Sequence, residues 1–136
     1  MRKTGKTQAD WERLIAAAHE VSKHAHAPYS RLRIGAALEA ERGAVFMGCN
    51  VENSSFGLTV CAERNAVAAT LVAGTRPAAV AVVVNGKTVA PCGACRQVLA
   101  EFDPGMPVVL ASTTHDSHEV MSLDALLPGA FRFEKP

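Results

Sequence analysis

Two short segments carry residue types at spacings that could do chemistry: Cys61-Ala62-Glu63 and, further along the chain, Pro91-Cys92-Gly93-Ala94-Cys95. Each reads as the place where a strand or loop feeds a helix. A helix N-terminus carries partial positive charge and free N–H groups, which lower the pKa of a cysteine there and favour the thiolate that zinc requires. The i, i+3 spacing of Cys92 and Cys95 puts both sulfurs on one face of a first turn, within reach of one ion. Two helix starts brought side by side would supply three thiolates and leave the fourth tetrahedral position for water, which separates a catalytic zinc from a closed structural one. Glu63, two residues from Cys61, is then placed to shuttle protons. Each half alone has a plain structural reading: a single helical cysteine is commonly a small buried hydrophobe, and a single C-x-x-C is commonly a structural metal or redox pair.

The elements that must position these residues follow from periodicity. Trp11, Leu14, Ile15, Ala18, Val21 and Ala25 recur at helical spacing, predicting an amphipathic helix from Asp10 to about Ala27, before Pro28. Leu32 to Ala40 and Ala44 to Asn50, separated by Glu41-Arg42-Gly43, suit a hairpin, and Asn53 to Thr59 reads as a loop. The alanine-rich Cys61 to Ala73 predicts a helix ending at Gly74, followed by a buried strand from Ala78 to Val84. A second helix from Cys92 to Phe102 precedes a short apolar strand from Pro107 to Ala111, and Ser122 to Leu127 suits one more helical turn. The β-α-β-α-β order favours one sheet covered by helices on its faces, and no internal repeat is visible.

Composition narrows the class. A chain of 136 residues with 49% hydrophobic residues and a net charge of +1 suits a single ordinary domain over residues 1–136 and excludes a disordered chain. Fourteen Lys+Arg against thirteen Asp+Glu leave no excess of positive charge to draw a phosphate backbone or an anionic membrane, so neither nucleic acid nor lipid is the expected partner. The charged N-terminus has no apolar core behind it and no stretch approaches a membrane span, which points to a cytoplasmic protein. In that reducing setting four cysteines are better metal ligands, catalytic groups or packing residues than disulfides.

Taken together, the two segments match the zinc nucleobase deaminase signature of ligand-x-Glu followed by Pro-Cys-x-x-Cys, with cysteine in place of the first histidine. The chain resembles the small, homotetrameric class of cytidine deaminases. The likeness runs through Ala27-Pro28-Tyr29-Ser30, Ile34-Gly35-Ala36-Ala37-Leu38, Gly48-Cys49-Asn50-Val51-Glu52-Asn53, Cys61-Ala62-Glu63-Arg64 and Pro91-Cys92-Gly93-Ala94-Cys95-Arg96-Gln97-Val98. The resemblance implies a three-layer α/β/α sandwich on a mixed five-stranded sheet. It also implies one zinc ion per subunit on Cys61, Cys92 and Cys95, and a homotetramer with shared active sites. The implied reaction is hydrolytic deamination of cytidine and deoxycytidine at C4, with Glu63 moving protons. By the same resemblance Arg64 offsets the negative charge of three thiolates, Asn50 and Glu52 hold the ribose, the backbone N–H of Ala62 meets the base, Ala90 offers a carbonyl, and Phe131 reaches a neighbouring subunit's site.

Three positions bear on the substrate. Leu32 stands where relatives commonly place a phenylalanine against the pyrimidine ring, and Arg33 where they place proline. Phe56 replaces a loop tyrosine, whereas Phe131 is kept. An altered base pocket follows as an expectation, which admits a modified cytidine or a cytosine-containing antibiotic such as blasticidin S. A different class, a zinc-stabilised interaction module without catalysis, would use the same cysteines and leave Glu63 an ordinary helix-start acid. Of the remaining residues, Cys49 reads as a small buried residue on a strand, the five histidines as surface, Trp11 as a core or interface anchor, and Met47 and Met106 as packing.

Overall fold

The structure, a computed structural model, describes residues 8–133. Its elements in chain order are α1 (Gln8–Ser22), β1 (Ile34–Ala40), β2 (Val45–Cys49), α2 (Ala62–Val72), β3 (Pro77–Val84), α3 (Gly93–Ala100), β4 (Pro107–Ser112), β5 (His115–Ser122) and α4 (Leu123–Leu126), with a 3-10 turn at Phe56–Leu58. The strands form one mixed sheet in the order β2-β1-β3-β4-β5, in which β3 and β4 run parallel and the other neighbours antiparallel.

Period-2 alternation on the central strands makes the layers. Ala37, Ala79, Ala81, Val83, Val109 and Ala111 face one way and are covered by Trp11, Leu14 and Ala18 of α1. Ala36, Leu38, Val80, Val82, Val108 and Leu110 face the other way, against Ala62, Ala66 and Val67 of α2, Leu99 of α3 and Leu123 of α4. β3 is buried on both faces, which is why its sequence is an unbroken Val/Ala run. This is the three-layer α/β/α arrangement on five mixed strands.

Two glycines set how closely helices approach the sheet. A Cβ on Gly35 would lie 1.9 Å from the Ala18 carbonyl oxygen, and one on Gly48 would lie 2.4 Å from the Ala66 nitrogen and 2.6 Å from the Ala62 oxygen. The second approach seats the first turn of α2 on β2, and the Asn65 amide adds a hydrogen bond of 2.9 Å to the Cys49 carbonyl.

Several boundaries differ from the sequence pattern. α1 stops at Ser22 rather than near Ala27, because the following chain pairs with the segment after β2: His26 N donates to Asn50 O at 3.0 Å, and Glu52 N donates to His26 O at 2.8 Å. The helix at the Cys92/Cys95 pair, α3, ends at Ala100 rather than Phe102. The polar segment His115–Ser122, for which periodicity gave no element, is a strand; it is the sheet edge, mostly exposed, and is held by its ladder to β4 rather than by apolar side chains. Met47 is 47% exposed and so does not pack in this protomer, whereas Met106 and Trp11 are buried. Cys49 and His118 are each half-buried, correcting the buried cysteine and the fully surface histidine; the other four histidines are exposed. Among the described residues no helix is long and apolar enough to cross a membrane.

Candidate active site

The N-termini of α2 and α3 converge at one end of the sheet. Cys61 is the N-cap of α2 and Cys92 the N-cap of α3; both have extended backbone and neither sulfur caps its own helix, so the thiols stay free to turn toward each other. Cys61 Sγ lies 3.8 Å from Cys92 Sγ, Cys92 Sγ lies 3.6 Å from Cys95 Sγ, and all three sulfurs fall within 4.8 Å of one another. Tetrahedral zinc at about 2.3 Å from each sulfur needs ligand sulfurs about 3.8 Å apart, so this triangle fits the ion. Cys95 is buried, Cys61 half-buried and Cys92 exposed.

The thiol hydrogen bond from Cys95 and then the Arg64 guanidinium bring Cys61 down to about 5, into the thiolate range. Cys95 is pushed the other way, by the hydrogen bond it shares with Cys61 and by burial. Arg64 Nη2 lies 3.7 Å from Cys61 Sγ and 3.4 Å from the Thr59 carbonyl. The guanidinium is itself held charged by the Cys61 and Cys95 sulfurs, so Arg64 is no solvated surface residue. Arg96 does structural duty: Nε donates to Pro91 O at 2.6 Å and Nη1 to Leu126 O at 2.7 Å, tying the α3 start to α4.

Glu63, the second residue of α2, is 4% exposed. Burial, with the Cys61 charge adding to it, pushes its carboxyl up to about 7, where a group can both take and give a proton near neutrality. It lines a cavity of about 260 Å³ together with Cys61, Cys92, Asn50, Glu52, Leu32 and Ala90. Ser30, Ile34, Thr59, Val82 and Val89 complete the lining. Ala62, fully buried, begins α2 beside the ligand cysteine, where a helix leaves its first N–H groups without intrahelical partners.

The opposite wall is built by side chains gripping backbone. Asn50 Oδ1 accepts from Ile34 N at 2.9 Å, and its Nδ2 donates to Leu32 O at 2.8 Å. Glu52 accepts from the backbone N–H groups of Tyr29 and Ser30 at 3.0 and 3.2 Å and from the Ser30 hydroxyl. The Ser30 hydroxyl interaction, followed by the two N–H groups, holds the Glu52 carboxyl below the usual carboxylate range. Ser30 Oγ in turn accepts from Leu32 N at 3.0 Å. Arg33 Nη1 donates to the Lys23 carbonyl at 2.9 Å and does not line the cavity.

Cys61, Cys92, Glu63, Asn50, Glu52, Leu32 and Ala90 are thus brought together around one cavity, with Cys95 and Arg64 against the Cys61 sulfur. Phe56 is not among the residues lining this cavity. It lines a smaller neighbouring one with Tyr29, Ser30, Glu52 and Thr59, and its ring meets that of Tyr29 edge-on at 5.6 Å. Phe131 is 71% exposed and stands apart, its carbonyl accepting from Gln97 Nε2 at 2.9 Å. Ser30, Thr59, Val82 and Val89 gave no functional signal in the sequence; of these only Ser30, beside Tyr29 in a quoted motif, could have been singled out.

An α/β/α layer with three clustered thiols, two of which line one cavity with a buried carboxyl, has the metal donors and proton carrier of a metal-dependent hydrolase. The family described as the cytidine and deoxycytidylate deaminase zinc-binding region matches residues 8–111. A cytidine deaminase of Sporosarcina psychrophila is 47% identical over 128 residues, covering 92% of this chain and 93% of that protein, and one of Halalkalibacterium halodurans is 43% identical, covering 92% and 96%. Among solved structures, cytidine deaminase from Burkholderia pseudomallei superposes with a TM-score of 0.84 at 47% identity over 93% of this chain and 100% of that one. Cytidine deaminase from Mycobacterium tuberculosis gives 0.80 at 40% identity over 91% and 98%. The chain belongs to the cytidine and deoxycytidylate deaminase zinc-binding family, and zinc is its cofactor.

Proposed function

We propose that this chain is a zinc-dependent hydrolase that converts cytidine and deoxycytidine to uridine and deoxyuridine with release of ammonia. The observation that carries the reading is the triangle of Cys61, Cys92 and Cys95 sulfurs, of which Cys61 and Cys92 line the same cavity as the buried Glu63 carboxyl. Zinc bound there supplies Lewis-acid activation of a water molecule. Glu63 would take one proton from the attacking water as its oxygen adds to C4 and deliver it to ring N3, then carry the water's second proton to the amine, so that the C4–N bond breaks and ammonia leaves. Arg64 helps the Cys95 thiol hold Cys61 toward the thiolate, and the N–H of Ala62 meets the base.

Asn50 and Glu52 meet the sugar. Each has spare capacity: the second amide hydrogen of Asn50, and the remaining lone pairs of the Glu52 carboxylate. Leu32, with Ile34 and Val82, offers the base an aliphatic wall, and an aliphatic wall in place of an aromatic one is the basis for expecting a ring substituent to be tolerated. Tyr29, Phe56, Leu58 and Phe131 are 51%, 71%, 66% and 71% exposed, an apolar display that neighbouring copies would cover in a homotetramer; a scattering mass of four chains is expected, and a monomer mass would remove that assignment. A cytoplasmic role in pyrimidine salvage accompanies this reading.

The test is an ammonia-release assay on zinc-analysed protein with cytidine, deoxycytidine, 5-substituted cytidines and blasticidin S side by side. Turnover of the first two, retention of activity on 5-substituted rings and none on blasticidin S are expected. One zinc bound per chain with no ammonia from cytidine would overturn the assignment.

A further inference from the structure

Leu32 forms part of the cavity wall but lies in a loop outside the sheet, and Arg31 before it has φ 62°, a left-handed conformation that a non-glycine residue keeps only when its surroundings hold it. Arg31 N donates to Ala27 O at 3.0 Å, and Asn85, the first residue after β3, supplies the rest of the hold on Arg31 and Arg33. Its Oδ1 accepts from Arg33 N at 3.0 Å, its Nδ2 donates to Arg31 O at 3.2 Å, and its own N–H donates to Arg33 O at 3.2 Å. In an extended segment alternate residues present their N–H and C=O to opposite edges. Asn85 takes one edge, Arg31 and Arg33; Asn50 takes the other, Leu32 O and Ile34 N. The segment is gripped from both sides, and Leu32 is fixed between the grips.

The two asparagines differ in a telling way. Asn50 is buried and lines the cavity, so its removal would disturb fold and site together. Asn85 is exposed and does not line the cavity. Its side-chain bonds therefore contribute little to the stability of the whole chain, and what they determine is the position of residues 31–33.

We propose that Asn85 is a positioning residue for nucleoside recognition, holding the Arg31–Arg33 backbone so that Leu32 stands at the correct place against the base. The functional half of this proposal rests on the deaminase reading above; the structural half does not.

Two variants test it. Asn85→Ala removes both side-chain bonds, and Asn85→Asp keeps the acceptor for Arg33 N while losing the donor to Arg31 O. With Asn85→Ala the KM for cytidine is expected to rise about tenfold, with kcat within about twofold and the zinc content and melting temperature unchanged; Asn85→Asp should give a smaller rise, about threefold. Combining Asn85→Ala with Leu32→Ala should raise KM little beyond Leu32→Ala alone, because both changes act through one side chain. A merely structural asparagine would lower the melting temperature and leave this coupling absent.

Hydrogen exchange at the Arg33 amide, with no nucleoside present, tests the structural half independently: it should accelerate about tenfold or more in Asn85→Ala. Unchanged exchange at Arg33, or an unchanged KM in an active enzyme, or additive effects with Leu32→Ala, would each overturn the proposal. Should wild-type protein fail to deaminate cytidine while the Arg33 amide still depends on Asn85, the failure belongs to the deaminase reading.

Discussion

The metal end and the nucleoside wall of this cavity are built by different physics. At the metal end, Cys61 caps α2, and Glu63 and Cys95 sit on the first turns of α2 and α3, whose buried faces pack into the main core through Ala62, Ala66 and Leu99. Their positions follow from helix geometry and from Gly48, which lets α2 touch β2. The opposite wall has no such backing. Tyr29 to Arg33 is exposed, and its course is set by Asn50, Glu52 and Asn85 bonding to backbone. The metal-binding residues are thus placed on the part that packing makes rigid, and under the proposed function discrimination falls to a part whose shape single side chains can retune.

Changes at the metal end should accordingly be severe. Cys95→Ser removes a buried ligand, and zinc content and deamination should fall together to background, checked by metal analysis and ammonia release. Gly48→Ala drives a methyl into the Ala66 nitrogen and Ala62 oxygen; it should cost about 1–3 kcal/mol and lower the melting temperature by about 5–10 °C. A smaller loss is expected for Arg64→Leu, which takes the guanidinium from Cys61 and returns that sulfur toward an ordinary thiol. Zinc affinity, read by competition with a chelator, should weaken about 10–100-fold while the fold persists.

The wall should show the mildest effect, and one that depends on pH. The Glu52 carboxyl is held below its ordinary range by the Ser30 hydroxyl and two backbone N–H groups, with His26 adding a smaller electrostatic pull. A carboxylate depressed in the folded state contributes stability that is fully present above its unfolded pKa and is lost as pH falls through the folded value. Wild type should therefore lose more melting temperature than Glu52→Gln between neutrality and about pH 3. Equal slopes would mean that this loop is not anchored through the charge.

The same division explains what was legible in the sequence. The cysteines, Glu63 and Arg64 are readable because the chemistry demands fixed residue types at helical spacing, and β3 is readable because a doubly buried strand has to be apolar. β5 escaped because an edge strand paired through its backbone needs no apolar pattern, and the end of α1 escaped because His26 leaves the helix for a partner distant in sequence. Asn85 gave no signal either. An asparagine after a strand and before glycine reads as an ordinary turn, and only the structure shows which backbone it holds.

Glu63→Gln, assayed for bound zinc and for cytidine deamination in the same preparation, tests the central claim most directly. The change keeps size and burial while removing the proton carrier. The expected result is one zinc per chain and a rate lower by about 10²–10⁴-fold or more. Zinc retained with the rate unchanged would contradict the assignment of proton transfer to Glu63, and with it the account of why a carboxyl is buried beside three thiols.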